Sequence, residues 1–159
     1  MKHILIICMA LMFVSCNKVL MNKGHGAKVK STSYNYLTSL EFKSRDVKLE
    51  ELKKRSELNM WDRDQLIEEA KLVPQGGELT LRWSRAAIGS ADAQWFTAIV
   101  KQNGVEVLRQ RGESSVPFST DIGWSDLMIV YLPKLKAMPF DVYLVDDIQE
   151  KRFSWQVTP

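Results

Sequence analysis

Cysteine and histidine are scarce in this chain, and both are confined to its start. The two cysteines are Cys8 and Cys16 and the two histidines are His3 and His25, so residues 26–159 contain neither. A Ser-His-Asp or Cys-His nucleophile system needs a histidine, and the usual zinc sets draw on both residue types; the body of the chain can build none of these. It cannot be stapled by disulfides either and must be held by packing. A glycine-rich phosphate loop is also missing. Gly76-Gly77 precedes a strand rather than following one and matches neither nucleotide pattern, so it reads as a helix-to-strand turn. Charge of one sign is lacking too. Lys and Arg number 22 against 19 Asp and Glu, without the clustered basic footprint of a nucleic-acid binder. No apolar run is long enough to span a bilayer, which takes about 20 residues in a helix. Nothing in the pattern calls for a cofactor.

What the chain does have is a marked start. Lys2 is followed by an unbroken apolar run from Ile4 to Val14, and Ser15 places a small residue before Cys16. A charged start, a short apolar stretch and a small residue at the cut define a secretory signal. The sequence Phe13-Val14-Ser15-Cys16 resembles the lipobox of bacterial lipoproteins, with Phe13 where that motif usually carries Leu. The resemblance implies a signal peptide over residues 1–15, removal of that peptide, and a lipid on Cys16 that ties the mature chain to a membrane of the bacterial cell envelope. In such lipoproteins an Asp directly after the cysteine tends to hold the protein at the inner membrane. Asn17 stands there, which favours the outer membrane in a two-membrane envelope. An ordinary secretory signal cut elsewhere is the alternative, but no small-x-small pattern marks one nearby.

Residues 16–45 read as the lipidated cysteine and a flexible basic tether. Lys18, Lys23, Lys28, Lys30, Lys43 and Arg45 face a single acid, Glu41, and neither helical nor strand periodicity persists. The lysines could touch anionic head groups, but they are spread out, so a solvated spacer is the better reading. Tyr34, Tyr36, Leu37, Leu40 and Phe42 suggest that its end docks on the domain.

Residues 46–159 are expected to form one domain with a helical N-terminal cap and an antiparallel β-sandwich of about six strands. Two helices should occupy 46–72. Asp62 and Gln65 have capping-box spacing, Leu66, Ile67 and Ala70 should form a buried stripe, and Pro74 with Gly76-Gly77 should end the second helix. From Glu78 the period becomes two, with Leu79, Leu81 and Trp83 on one face. Asn103-Gly104 between two apolar runs predicts a type I′ hairpin. Leu127 to Leu132 forms another strand, and Phe140 to Val145 with Phe153 to Val157 form a final hairpin.

Carboxylates are the remaining candidates for chemistry. Asp146, Asp147 and Glu150 crowd one turn, while Asp121 and Asp126 flank the segment around Trp124. Calcium needs six to eight oxygen ligands, which loops at one end of a sandwich can gather. Asp is equally an ordinary turn residue, because its side chain bonds nearby N–H groups, and Lys151 and Arg152 would partly neutralise the site. A glycosidase pair of carboxylates is disfavoured by the shortness of the chain. Trp83, Trp95 and Trp155 read as core. Trp124 reads as a loop residue, either a lid on the core or an exposed anchor for a partner or sugar. Arg82, Arg85, Arg109 and Arg111 could line up as a positive stripe, though Glu78, Glu106 and Glu113 are near enough to pair with them. The reading that follows is a non-catalytic, lipid-anchored interaction or structural module of the cell envelope that works by contact with another envelope protein or a surface ligand. The alternative is a small-ligand or Ca²⁺-binding module using the loops around Trp124 and Asp146–Glu150.

Overall fold

The computed structural model describes residues 20–33, 37–135 and 138–159. The proposed signal peptide, Cys16, Tyr34 and Tyr36 lie outside these residues. The fold is mainly β, with ten strands among the described residues arranged in two sheets of five. In chain order they are β1 (Lys23–His25), β2 (Lys28–Ser31), β3 (Thr38–Lys43), β4 (Glu78–Arg85), β5 (Phe96–Gln102), β6 (Val105–Arg111), β7 (Phe118–Thr120), β8 (Gly123–Tyr131), β9 (Phe140–Asp146) and β10 (Lys151–Thr158). One sheet has the order β1-β3-β4-β8-β7 and the other β2-β10-β9-β5-β6.

Alternation within the strands builds the core between the sheets. Leu79, Leu81 and Trp83 on β4, Met128 and Val130 on β8, and Leu40 and Phe42 on β3 face one way. From the second sheet they meet Phe96, Ala98, Val100, Val142, Leu144, Phe153 and Trp155. The Trp83 and Phe96 rings stack with centroids 4.1 Å apart across the two layers. With no disulfide available, this buried aromatic and aliphatic surface supplies the cohesion, since each large aromatic covers roughly 150–250 Å². The predicted Asn-Gly turn is present, with Asn103 and Gly104 both at positive φ (52° and 78°) between β5 and β6.

The N-terminal segment departs from the sequence reading. Residues 23–43, expected as tether, carry three strands: β1 adds to β3 in parallel, β2 pairs with β10, and β3 pairs with β4. The signal is weak because β1 and β2 are short edge strands whose lysines face solvent, so no apolar period of two develops. Only β3, with Leu40 and Phe42 buried, is the docking that the aromatic and aliphatic residues there suggested.

The helices therefore follow three strands and form an insertion between β3 and β4, not an N-terminal cap. Helix α1 (Arg45–Leu58) starts at Ser44, whose side chain accepts from the Val47 N–H. Helix α2 (Arg63–Leu72) starts at the predicted capping box, with Asp62 accepting from the Gln65 N–H (2.8 Å) and the Gln65 side chain accepting from the Asp62 N–H (3.1 Å). The stripe of Leu66, Ile67 and Ala70 is not buried, and no residue of α2 is. The pair is held to the sheet by α1 through Leu52 and by ion pairs Lys43–Glu51 (2.8 Å) and Lys48–Glu78 (3.0 Å). Gly77 closes the insertion at φ +92°, where an added Cβ would lie 2.3 Å from the Lys43 carbonyl oxygen.

Candidate functional site

Two regions that sequence separates, the Trp124 segment and the Asp146–Glu150 turn, meet at one end of the sandwich through Arg85. In backbone register Arg85 pairs with Trp124. Its side chain reaches Asp146, the last residue of β9, donating from Nε (3.2 Å) and from an NH2 group (2.5 Å) to Oδ2. The third guanidinium nitrogen donates to the Ser84 carbonyl at 2.8 Å. The guanidinium also lies over the rings of Phe96 and Phe153, at 5.2 and 5.8 Å from their centroids. Asp146 Oδ1 accepts the N–H groups of Ile148 and Gln149, both at 3.0 Å. Both oxygens of this fully buried carboxylate are thus taken by protein donors, and a cation bound there would have to displace them. Asp147 faces Arg111 (3.7 Å), and Glu150 is an exposed residue at positive φ. The chemistry of this cluster is that of a clamp between the sheets.

Trp124 is on a strand rather than in a loop. It is the second residue of β8, half-buried, in step with Asp126, Met128 and Val130, which are all buried on the inward side. Asp121 is exposed in the turn before it. Trp83 and Trp155 are core residues as expected, while Trp95 is half-buried in a single 3₁₀ turn (Ala93–Trp95). The four arginines form no stripe: Arg85 is buried, Arg82 lies on the first sheet near Glu41 (3.8 Å), and Arg109 and Arg111 lie on β6 of the second. Arg109 pairs with Glu106 at 2.8 Å, as the sequence allowed.

A second polar cluster was missed by sequence reasoning. The Asp92 carboxylate accepts from the N–H groups of Gln94 and Ser115, both at 3.0 Å, and from the Ser114 hydroxyl at 3.2 Å. Asp126 accepts from the Ala93 N–H at 3.2 Å and from the Ser115 hydroxyl. Burial pushes the Asp92 carboxyl up, but the bonds from Gln94, Ser115 and Ser114 outweigh it and hold it below its ordinary value of 3.8. Together these carboxylates stitch the segment after β4 to the segment after β6. The available signal was Asp92 two residues before Gln94, the spacing of an Asx turn. Among the described residues no buried side-chain nitrogen or oxygen lacks a partner, and no group of three or more His, Cys, Asp or Glu is placed to hold a metal ion.

An open hollow of about 540 Å³ lies against residues 145–147 and 150–152 at the Arg85 end, and another pocket lies at the other end of the molecule. This pocket of about 340 Å³ opens between the helical insertion and β8, lined by Leu52, Leu72, Val73, Pro74 and Tyr131 together with the charged Lys48, Glu51, Arg55, Glu69 and Glu78. Leu72 is 75% exposed and Tyr131 59%. Ile129, two residues before Tyr131 on the same face of β8, is 40% exposed. Strand β7 pairs only with Gly123–Ser125, so along Leu127–Tyr131 β8 is laddered in its sheet to β4 alone. Polar side chains bond the backbone of this stretch: the Gln110 amide donates to the Ile129 carbonyl (3.1 Å), and the Asp126 carboxylate accepts from the Leu127 N–H (2.8 Å). A groove of mixed apolar and charged lining beside a strand edge can hold an extended polypeptide, with the edge supplying main-chain hydrogen bonds and the groove taking a side chain.

Compared with known proteins, the chain matches no protein-family model, no curated protein and no solved structure. Among the described residues no helix is long and apolar enough to cross a membrane.

Proposed function

We propose that this chain is a lipid-anchored protein of the bacterial cell envelope whose domain works by contact with another envelope protein rather than by catalysis. The observation that supports the contact is the groove between the helical insertion and β8, which runs into the open edge of that strand. Exposed apolar residues gathered around a concavity mark interaction surfaces more often than they occur by chance. Helix α2 fits this role, because it leaves Leu72 exposed beside the groove, where a covering partner would bury it. The anchor is supported by the lipobox-like Phe13-Val14-Ser15-Cys16.

The test uses photo-crosslinking residues at Leu72 and Ile129 in intact cells, with Lys30 on the other sheet as control. One protein captured from both groove positions and not from Lys30 is the expected result. No adduct, or the same adducts from all three, would overturn the contact reading. Mass spectrometry of the mature N-terminus tests the anchor separately: a diacyl or triacyl Cys16 is expected, and an unmodified cysteine would sink it.

A further inference from the structure

We infer that the domain stands with a defined end against the bilayer, the end formed by residues 86–92, 121–123 and 146–150. This rests on the anchor at Cys16 proposed above. The argument is one of chain length. Leu20 is the first described residue, and it lines a hollow with Ser84, Thr120, Asp121, Ile122 and Ser125 at that end of the sandwich. Cys16 precedes it by four positions, which reach at most about 14 Å even when fully extended. A lipidated cysteine sits at the bilayer interface, so this end of the domain is tied to within that distance of it. The opposite end is farther by the length of β8, about 26 Å for the rise from Gly123 to Tyr131.

The surface presented there suits an uncharged interface. Ile88 and Ile148 are 46% and 48% exposed, and Ile122 is half-buried beside Leu20. The elements that carry them are locked together. Trp95 donates to the Gly89 carbonyl (3.0 Å) and its own carbonyl accepts the Asp147 N–H (2.9 Å), while Gly123 packs on Arg85 and Ala86. This end carries no excess of basic residues, with Asp92, Asp121, Asp147 and Glu150 against Lys151 and Arg152. Contact is therefore apolar and shallow rather than a basic patch on anionic lipid. The consequence is directional: the groove beside Tyr131 points away from the membrane, toward a partner in the aqueous compartment.

The experiment uses the full acylated protein in phosphatidylcholine vesicles. The mature chain carries only the blocked Cys16, so single cysteines at Ile148→Cys, Ile88→Cys and Val105→Cys take an environment-sensitive fluorophore cleanly. Val105 is exposed at the far end, where it opens β6 directly after the Asn103-Gly104 turn. Spin-labelled lipids should quench the labels at 88 and 148 several-fold more than the label at 105. Equal quenching at both ends, or none at any position in protein whose Cys16 lipid is confirmed by mass, overturns the orientation and leaves the anchor standing. Absence of the lipid from the mass spectrum overturns the anchor and the orientation with it.

Discussion

Replacing Asp146 with Asn tests the clamp between the sheets. The carboxylate is fully buried, accepts two bonds from Arg85 and two from backbone N–H groups, and is nearly isosteric with the amide that would replace it. The Asn oxygen can keep the bonds from Ile148 and Gln149, but its NH2 group then faces a guanidinium. A buried cation loses its counter-charge, which costs about 3–5 kcal/mol. A domain of this size is stabilised by about 5–15 kcal/mol in all, and 1 kcal/mol moves its melting point by about 3 °C, so Tm should fall by roughly 10 °C. Urea unfolding followed by tryptophan fluorescence gives the free energy, with an unchanged slope showing that the denatured state is not the cause. The sharper measurement is the double variant Asp146→Asn with Arg85→Met. Met lies well between the Phe96 and Phe153 rings, and the unpaired charge is gone, so the double variant should be more stable than Asp146→Asn alone by about 2 kcal/mol or more. A loss below about 1 kcal/mol in the single variant, or simple addition of the two single losses, would refute the account of a desolvated pair.

Asp92 sets an acid limb. Its folded carboxyl is held below the ordinary 3.8, so its contribution is present above that pH and is lost as pH falls through the lower folded value. Asp92→Asn should flatten the acid side of a stability-versus-pH curve and leave its neutral side less changed; an unaltered acid limb would contradict this. Gly104→Ala should cost about 1 kcal/mol, because the residue is left-handed with open space around it. Gly77→Ala should cost visibly more in the same denaturation assay, since its Cβ would collide with the Lys43 carbonyl at 2.3 Å. Leu72→Asp should change stability by less than about 0.5 kcal/mol while abolishing the crosslink from Ile129, a split that a purely structural Leu72 would not produce.

Strong local signals were legible in the sequence and weak ones were not. The alternation of Leu79, Leu81 and Trp83, the Asn103-Gly104 turn and the Asp62–Gln65 cap each belong to a few neighbouring residues, and each is present as read. Strands β1, β2 and β7 are three or four residues long at sheet edges and carry no apolar pattern, because their stability comes from ladders to distant strands. The buried stripe expected on α2 failed for a different reason. Periodicity shows that a helix is amphipathic but not whether anything in the same chain covers its apolar face. At the Arg85 end, Asp146 looked like a turn acid and a potential ligand. Its partner lies 61 residues away in sequence, beyond the reach of any local pattern.

Asn22 has one further consequence, for how the two layers close. Its side-chain oxygen accepts from the Leu40 N–H on one sheet (3.1 Å) and from the Trp155 indole on the other (2.9 Å), the latter across 133 positions. Strand β2 likewise finds its mate in β10, the last strand made. The segment around Asn22 thus finds one set of partners nearby, in β3, and the other only in distant β10, so closure of the two layers depends on contacts between remote parts of the chain. Removing residues 155–158 would therefore take away a bond of Asn22 and the whole register of β2 at once.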